Sequence, residues 1–424
     1  MTRSPTFDLL SRGRAAAMAG EKAEARRYLE RLLYLDPPLE ERLEALYWLS
    51  EALEDPHEQR ACLEEILAHN FGDARARRRL AILDGKLRPE EIVNPDQIQA
   101  PTPGDPQTAR TRSFTCPQCG ARMVYAPDGQ TLICEFCETR KRVAAGQTAP
   151  EDDFLIAMVT ARAHHRPTTA HLVTCQGCSA SFILPPQTLT QTCPYCLTPY
   201  AIEQVEERPF DAPDGILPFT LNATAARQAL HAWLAGDPPR GKVRVSHPTG
   251  MYLPVWLFNM GGQVSWKGSL YQNKQRIPVS GMRVISRANL LVPASHHLPE
   301  ALLPALHGFN LDNLQPYEAG FLAGFPAETF TITAANASLE ARRLALEAET
   351  REIQHTELDQ PAYDFSVSTG NMLVESYRLA LLPLWLAFYD VDGRRYDVAI
   401  NGQTGAVTGE RPGKNLLERI SQWF

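Results

Sequence analysis

The spacing of apolar residues changes along the chain, and each change predicts a different kind of element. Over residues 5–88 apolar positions recur every three or four residues. Leu29, Leu32 and Leu33 form one set. Leu43, Leu46, Tyr47 and Leu53, with Ser50 among them, form a second, and Leu63, Ile66 and Leu67 a third. That period places each set on one helix face. Gly20, "DPP" at 36–38, "EDP" at 54–56 and "NFGD" at 70–73 interrupt it as turns. Residues 89–112 hold five prolines and few apolar side chains, which predicts an extended linker. From about residue 205 the pattern becomes strand-like. "MYLPVWLF" at 251–258, "MRVISRANLLV" at 282–292, "ETFTITA" at 328–334, "YDFSV" at 363–367 and "YRLALLPLWLAFYDV" at 377–391 read as strands. Helical stretches are expected near 223–235 and 338–354. "DVDG" at 390–393 and "NGQTG" at 401–405 predict hairpin turns.

Two apolar strings echo each other: "LPVWLF" at 253–258 and "LPLWLAF" at 382–388. The echo suggests an internal duplication. Trp256 and Trp385 are then core residues of equivalent strands, or alternatively a ligand-stacking pair.

Between the helical and strand-rich parts lie eight of the nine cysteines. Cys116 and Cys119 pair with Cys134 and Cys137; Cys175 and Cys178 pair with Cys193 and Cys196. Both sets have the form C-x2-C-x14-C-x2-C, offset by 59 residues. A Cys-x-x-Cys turn aims two sulfurs at one point, and two such turns complete a tetrahedron about zinc. The intervening residues suit a hairpin, turning at "PDG" in the first set and at Pro185-Pro186 in the second. Two independent structural Zn2+ ions are expected, with closed coordination shells. A redox dithiol or an iron–sulfur cluster are the alternatives. A helix at 151–163 is expected between the sets. His164, His165 and His171 precede the second set and read as solvent or helix-end histidines, since each set already has four cysteines. Cys62 reads as a buried small hydrophobe.

The expected organisation is multidomain. An all-α helical-repeat region spans 1–88, a linker 89–112, zinc ribbon 1 113–143, a helical connector 144–172, zinc ribbon 2 173–204, and an α+β domain with the candidate duplication 205–424. The first helices resemble tetratricopeptide repeats, with Gly13, Gly20, Ala25, Leu29 and Pro37 at that repeat's small, turn and terminating positions. Residues 114–204 resemble the tandem zinc ribbons of transcription factor IIB-like and primosomal-helicase-like proteins. The run from 113 to about 413 resembles bacterial double zinc-ribbon proteins of poorly defined function. "CPYC" at 193–196, "ILPFTL" at 216–221, Trp233 and "NGQTGAVTGERP" at 401–412 carry that resemblance. Ser179, Glu138 and Leu197 depart from it, standing where glycine commonly follows the turn.

A net charge of −7 does not favour a surface that grips nucleic acid throughout. Local cations still make nucleic acid the rival partner: Arg122, then Arg140, Lys141 and Arg142, and "RARRR" at 75–79. No catalytic signature stands out, so no enzyme is expected. The N-terminus lacks a signal-peptide core and no run suits a membrane span, so a cytoplasmic location is expected. The tail "KNLLERISQWF" has one apolar helical face, which reads as protein docking more readily than membrane-surface contact. The expected function is a non-enzymatic zinc-binding adaptor that meets protein partners through the helical repeats and the C-terminal domain.

Overall fold

The computed structural model describes residues 5–92, 116–119, 123–125, 131–134, 137, 139–142, 149–160, 164, 166–184, 190–201, 207–272, 275–317, 322, 325–358 and 360–412. Most of the linker, Arg122, Glu138 and the tail from 413 lie outside them.

Five antiparallel helices come first: α1 (Pro5–Met18), α2 (Lys22–Tyr34), α3 (Leu39–Ala52), α4 (Pro56–His69) and α5 (Ala74–Leu83). Ala25, Leu29, Leu32, Leu63 and Ile66 are buried as their spacing predicts. Gly13 has a steric reason to be glycine, because a Cβ there would meet the Leu29 side chain at 2.6 Å. Cys62 is half-buried between the two apolar clusters of this bundle, and burial pushes its thiol up to about 11.

The first cysteine set carries its own antiparallel sheet: β1 (Met123–Tyr125), β2 (Thr131–Cys134) and β3 (Arg140–Arg142). Next come β4 (Asp152–Asp153), α6 (Phe154–Val159), β5 (Pro167–Thr174), β6 (Ser181–Ile183), β7 (Thr190–Thr192), β8 (Pro199–Ala201), β9 (Glu207–Asp211) and β10 (Gly215–Ile216). Among the described residues, the helix expected at 151–163 is α6 alone. Asp152 and Asp153 pair with a central strand instead, and the Asp153 carboxylate caps the Ile156 N–H at 3.0 Å.

The remainder is α7 (Ala223–Gly236), β11 (Val243–Val245), β12 (Thr249–Gln272), β13 (Gln275–Pro293), β14 (Gln315–Pro316), β15 (Ala327–Glu328), α8 (Ala334–Thr356), β16 (Tyr363–Val391), β17 (Arg394–Asn401) and β18 (Val407–Gly409). Both predicted helices and both hairpins are present. At the β16–β17 turn Asp392 and Gly393 have φ of 52° and 86°, the two left-handed residues that a two-residue hairpin of this twist needs. "ETFTITA" supplies only the short β15. Beyond it the Thr331 and Ile332 N–H groups bond to the Ala294 carbonyl, and Thr333 caps α8.

β12 and β16 pair antiparallel at the centre of one large sheet. Their side chains alternate between the two faces of the sheet, as strand geometry requires. Leu253, Val255, Leu382 and Leu384 face a core shared with the second cysteine set. Trp256 and Phe258 face the core under α8, and Leu381 and Trp385 that under α7. Both tryptophans are packing residues: Trp256 is fully buried and Trp385 nearly so.

The echoed strings occupy matching places. Leu253 of β12 pairs with Leu382 of β16. Proline is excluded from central strands because it lacks a donor, yet Pro254 and Pro383 sit in these two. Each lies where its strand changes outer neighbour. β12 passes from β15 at Tyr252 to β13 from Val255. β16 passes from β10 at Leu381 to β17 from Leu384. The Pro254 carbonyl accepts from Ala294, just past β13, and the Pro383 carbonyl from Gly402, just past β17, each at 2.9 Å. Trp256 Nε1 donates to the Ile332 carbonyl at 2.7 Å, and Trp385 Nε1 to the Leu221 carbonyl at 3.3 Å. Each acceptor immediately precedes a helix cap, Thr333 of α8 and Asn222 of α7.

Candidate metal centres

The eight cysteines form the two groups that their spacing predicts, with the sulfurs of each group gathered at one point. None is in a disulfide. In the first group the Sγ atoms of Cys116 and Cys137 are 3.4 Å apart, those of Cys119 and Cys134 3.4 Å, and those of Cys119 and Cys137 3.5 Å. In the second, Cys175 and Cys196 are 3.5 Å apart and Cys178 and Cys193 3.6 Å. A zinc ion 2.3 Å from four sulfurs gives tetrahedral edges of about 3.8 Å. Both groups are therefore compatible with a structural zinc ion.

Local backbone bonding shapes each turn. Cys134 N–H bonds to the Thr139 carbonyl and Cys193 N–H to that of Thr198. Cys175 N–H bonds to the Ala180 carbonyl, and Ser179 N–H returns to that of Cys175. Thr139 and Thr198 each place a hydroxyl by a sulfur, at 3.0 Å from Cys137 and 3.2 Å from Cys196. The Thr139 hydroxyl and N–H hold the Cys137 thiol low. Burial works against ionising Cys196, but the Thr198 hydroxyl and N–H pull it down to about 6. Burial pushes the Cys193 thiol up instead. Thiolates are the ligating form, so metal binding at either group would release protons.

Ser179 and Leu197 close the two turns of the second group with φ of 64° and 63°. A side chain in this left-handed region costs roughly 1–2 kcal/mol. Leu197→Val, which adds β-branching there, is expected to lower the melting temperature of the metal-loaded protein. Leu197→Gly is expected to leave it unchanged or raise it. A melt in which Val matches wild type would refute this account of the turn.

The two groups differ in setting. Cys116 and Cys134 are buried, but they belong to none of the apolar clusters among the described residues, and Cys119 and Cys137 are exposed. Cys175 and Cys193 lie inside the sheet core with Phe182, Leu253 and Leu382. The hairpin expected across the second set is replaced by other pairings. β6 pairs with β5 and with β15, while β7 pairs with β8. Phe182 and Ile183 of β6 are nearly fully buried. That apolar pair draws the strand into the large sheet, so pairing crosses the boundary expected at 204/205.

Residues remote in sequence complete this junction. The Tyr195 hydroxyl, inside "CPYC", donates to Glu328 Oε2 at 2.5 Å, and His297 Nδ1 lies 2.6 Å from Glu328 Oε1. That bond with Glu328 raises the His297 pKa. Arg395 Nη2 donates to the Tyr195 carbonyl at 2.9 Å. Beside them opens a cavity of about 220 Å³, lined by Cys178, Tyr195, His247, His297 and Phe388 among others. Nothing in the spacing of Glu328 or His297 pointed to this role.

The expected cationic residues divide. "RKR" at 140–142 is strand β3, paired to β2, and Arg140 is exposed. In "RARRR" three arginines are engaged, Arg77 over the Phe71 ring. Arg75 bonds to Glu44 at 2.8 Å and lies over the Tyr47 ring, and Arg79 pairs with Glu51 at 3.3 Å. Among the described residues no helix is long and apolar enough to cross a membrane.

His164 corrects its expectation. It is buried, with Nε2 2.7 Å from the Ala212 carbonyl and its ring edge against Trp256. It lies under the sheet rather than in solvent. Around it stand Asp152, Arg166 and Asp214. Burial pushes the Asp214 carboxyl up to about 6. His165 lies outside the described residues, and His171 is in β5.

No family model matches the chain, and no solved structure matches it. Among curated proteins, it is similar to the uncharacterised protein YdjG of Bacillus subtilis (strain 168), at 27% identity over 233 residues, half of this chain and 67% of that one.

Proposed function

We propose that this protein is a non-enzymatic adaptor stapled by two structural zinc ions, which meets protein partners through its helical bundle and its C-terminal domain. The observation that carries the reading is the embedding of the second four-cysteine group in the sheet core, with Tyr195, Glu328 and His297 bonded behind it. Four thiolates close a zinc shell, so such an ion shapes the fold and has no position open for substrate. Two further features support partner binding. Tyr34 and Leu39, at the turn between α2 and α3, are 80% and 51% exposed, an apolar presentation that suits protein contact. The cavity by Tyr195 offers a recess for a side chain. Cysteines free of disulfides fit a reducing, cytoplasmic setting. Residues 205–424 are read as a duplicated unit, supported by the matching prolines and tryptophans.

The rival is nucleic-acid binding through the first ribbon, favoured by exposed Arg140 on β3 beside Lys141 and Arg142. Fluorescence anisotropy of DNA and RNA oligomers across salt separates the two. The adaptor reading expects no submicromolar binding at any salt. Tight binding with a steep salt slope, lost in Arg140→Glu, would replace it. On the adaptor side, a partner recovered with zinc-loaded full-length protein should be lost with Tyr34→Asp.

A further inference from the structure

We propose that Asp152, His164 and Asp214 form a third divalent-cation site, of nitrogen and oxygen donors, separate from the two cysteine groups. The first observation is geometric. His164 Nδ1, an Asp152 carboxylate oxygen and an Asp214 carboxylate oxygen converge within 4.8 Å of one another. Nδ1 is 3.4 Å from Asp214 Oδ2 and 3.8 Å from Asp152 Oδ2. Charge-assisted hydrogen bonds are shorter, about 2.7–2.9 Å. Ligands held about 2.1 Å from one ion stand roughly 3.0–3.6 Å apart, a range that holds the Asp214 distance and falls just short of the Asp152 one. The His164 side chain is 1% exposed, and Nδ1 has no hydrogen-bond partner.

The second observation is how the three donors are aimed. The other ring nitrogen of His164 faces the Ala212 carbonyl, which can only accept, so Nε2 carries a proton and Nδ1 is the nitrogen turned toward both carboxylates. Metal-binding histidines are commonly oriented by such a carbonyl. The carboxylates are oriented too. Arg166 takes Oδ1 of each, Nε at Asp214 and Nη2 at Asp152, leaving both Oδ2 atoms toward His164. The Leu379 N–H fixes Asp214 further through Oδ2 at 2.7 Å.

The third observation comes from the paired halves of the sheet. Around Trp385 pack Phe219, two residues before its acceptor Leu221, and Phe325. Around Trp256 pack Phe330, two residues before its acceptor Ile332, and His164. His164 thus stands where the other half has Phe325. Apolar packing alone suffices on one side; on the other an imidazole and two aspartates replace it. Asp152, whose side chain is 37% exposed, gives the ion its path to solvent. One imidazole and two carboxylates suit a borderline first-row cation, with a remaining position for water.

The full-length protein, loaded with cadmium, tests this by cadmium NMR. Two resonances in the thiolate range report the cysteine groups. A third, at the nitrogen–oxygen end, is expected from the new site. In parallel, the two-zinc protein titrated with Mn2+ should take up one further equivalent by calorimetry. Asp152→Asn, at a half-exposed position, should abolish the third signal and leave both thiolate resonances; His164→Gln should do the same if it folds. Two thiolate resonances alone, with His164 found doubly protonated between the aspartates, would overturn the third site and leave the zinc-stapled reading intact. Loss of the thiolate resonances would overturn that reading instead.

Discussion

Cys193→Ser is expected to abolish the cooperative unfolding transition of the C-terminal domain, whereas Cys134→Ser leaves that transition in place. The reason is where each group sits. Cys193 and Cys175 share an apolar core with Phe182, Leu253, Val255, Leu382 and Leu384. The same segment supplies β6 to the large sheet and Tyr195 to Glu328. Structural zinc contributes on the order of 10 kcal/mol or more to folding. An ordinary domain has about 5–15 kcal/mol of net stability. Weakening a zinc ion bound here would leave buried sulfurs uncompensated inside the core and remove a stabilisation as large as the whole net balance. The first group serves β1, β2 and β3, a sheet of its own, so its loss has little to propagate into. Tryptophan near-UV circular dichroism during urea unfolding, with zinc content measured on the same samples, reads the difference. A Cys193→Ser protein with the wild-type transition would sink the argument. A strong chelator should act in the same order, stripping the group with two exposed cysteines first and the embedded one slowly.

Trp256→Phe and Trp385→Phe are each expected to cost about 2–4 kcal/mol of stability, and to agree within about 1 kcal/mol. Each loses part of a large buried ring and leaves a carbonyl without its donor. The costs should be close because each tryptophan has a proline two residues before it, where the outer strand changes, and an acceptor carbonyl just before a helix cap. Each ring is pinned to the helix that leads into the other's strand, Trp256 to α8 and Trp385 to α7. Losing either therefore loosens the link between the two halves. Denaturant melts of both variants decide it. A near-neutral result for either one would show that the two positions are not equivalent.

How much of this was legible depends on the range of the interactions. The helical period around Leu29, Leu32, Leu63 and Ile66 predicts the bundle because a helix face is set by near neighbours. The "DVDG" turn declares its hairpin for the same reason, as left-handed residues suit it. The cysteine groups were legible because a two-residue gap and a fourteen-residue gap carry the geometry within one short segment. The second hairpin and the start of the 151–163 helix give way where distant strands compete. β6 was claimed by β15, almost 150 residues later, and Asp152–Asp153 by β16.

The sequence by itself determined the helical start, the central apolar strands with their echoed prolines and tryptophans, and the two four-cysteine groups. Those features depend on periodicity and local spacing. Only the tertiary structure decided that one cysteine group is part of a domain core while the other stands apart. It alone brought Glu328 and His297 to Tyr195, and buried His164 between Asp152 and Asp214. Such contacts join segments up to 133 residues apart. Chain closure over that distance is selected by sheet pairing and core burial, and no local pattern of residues encodes it.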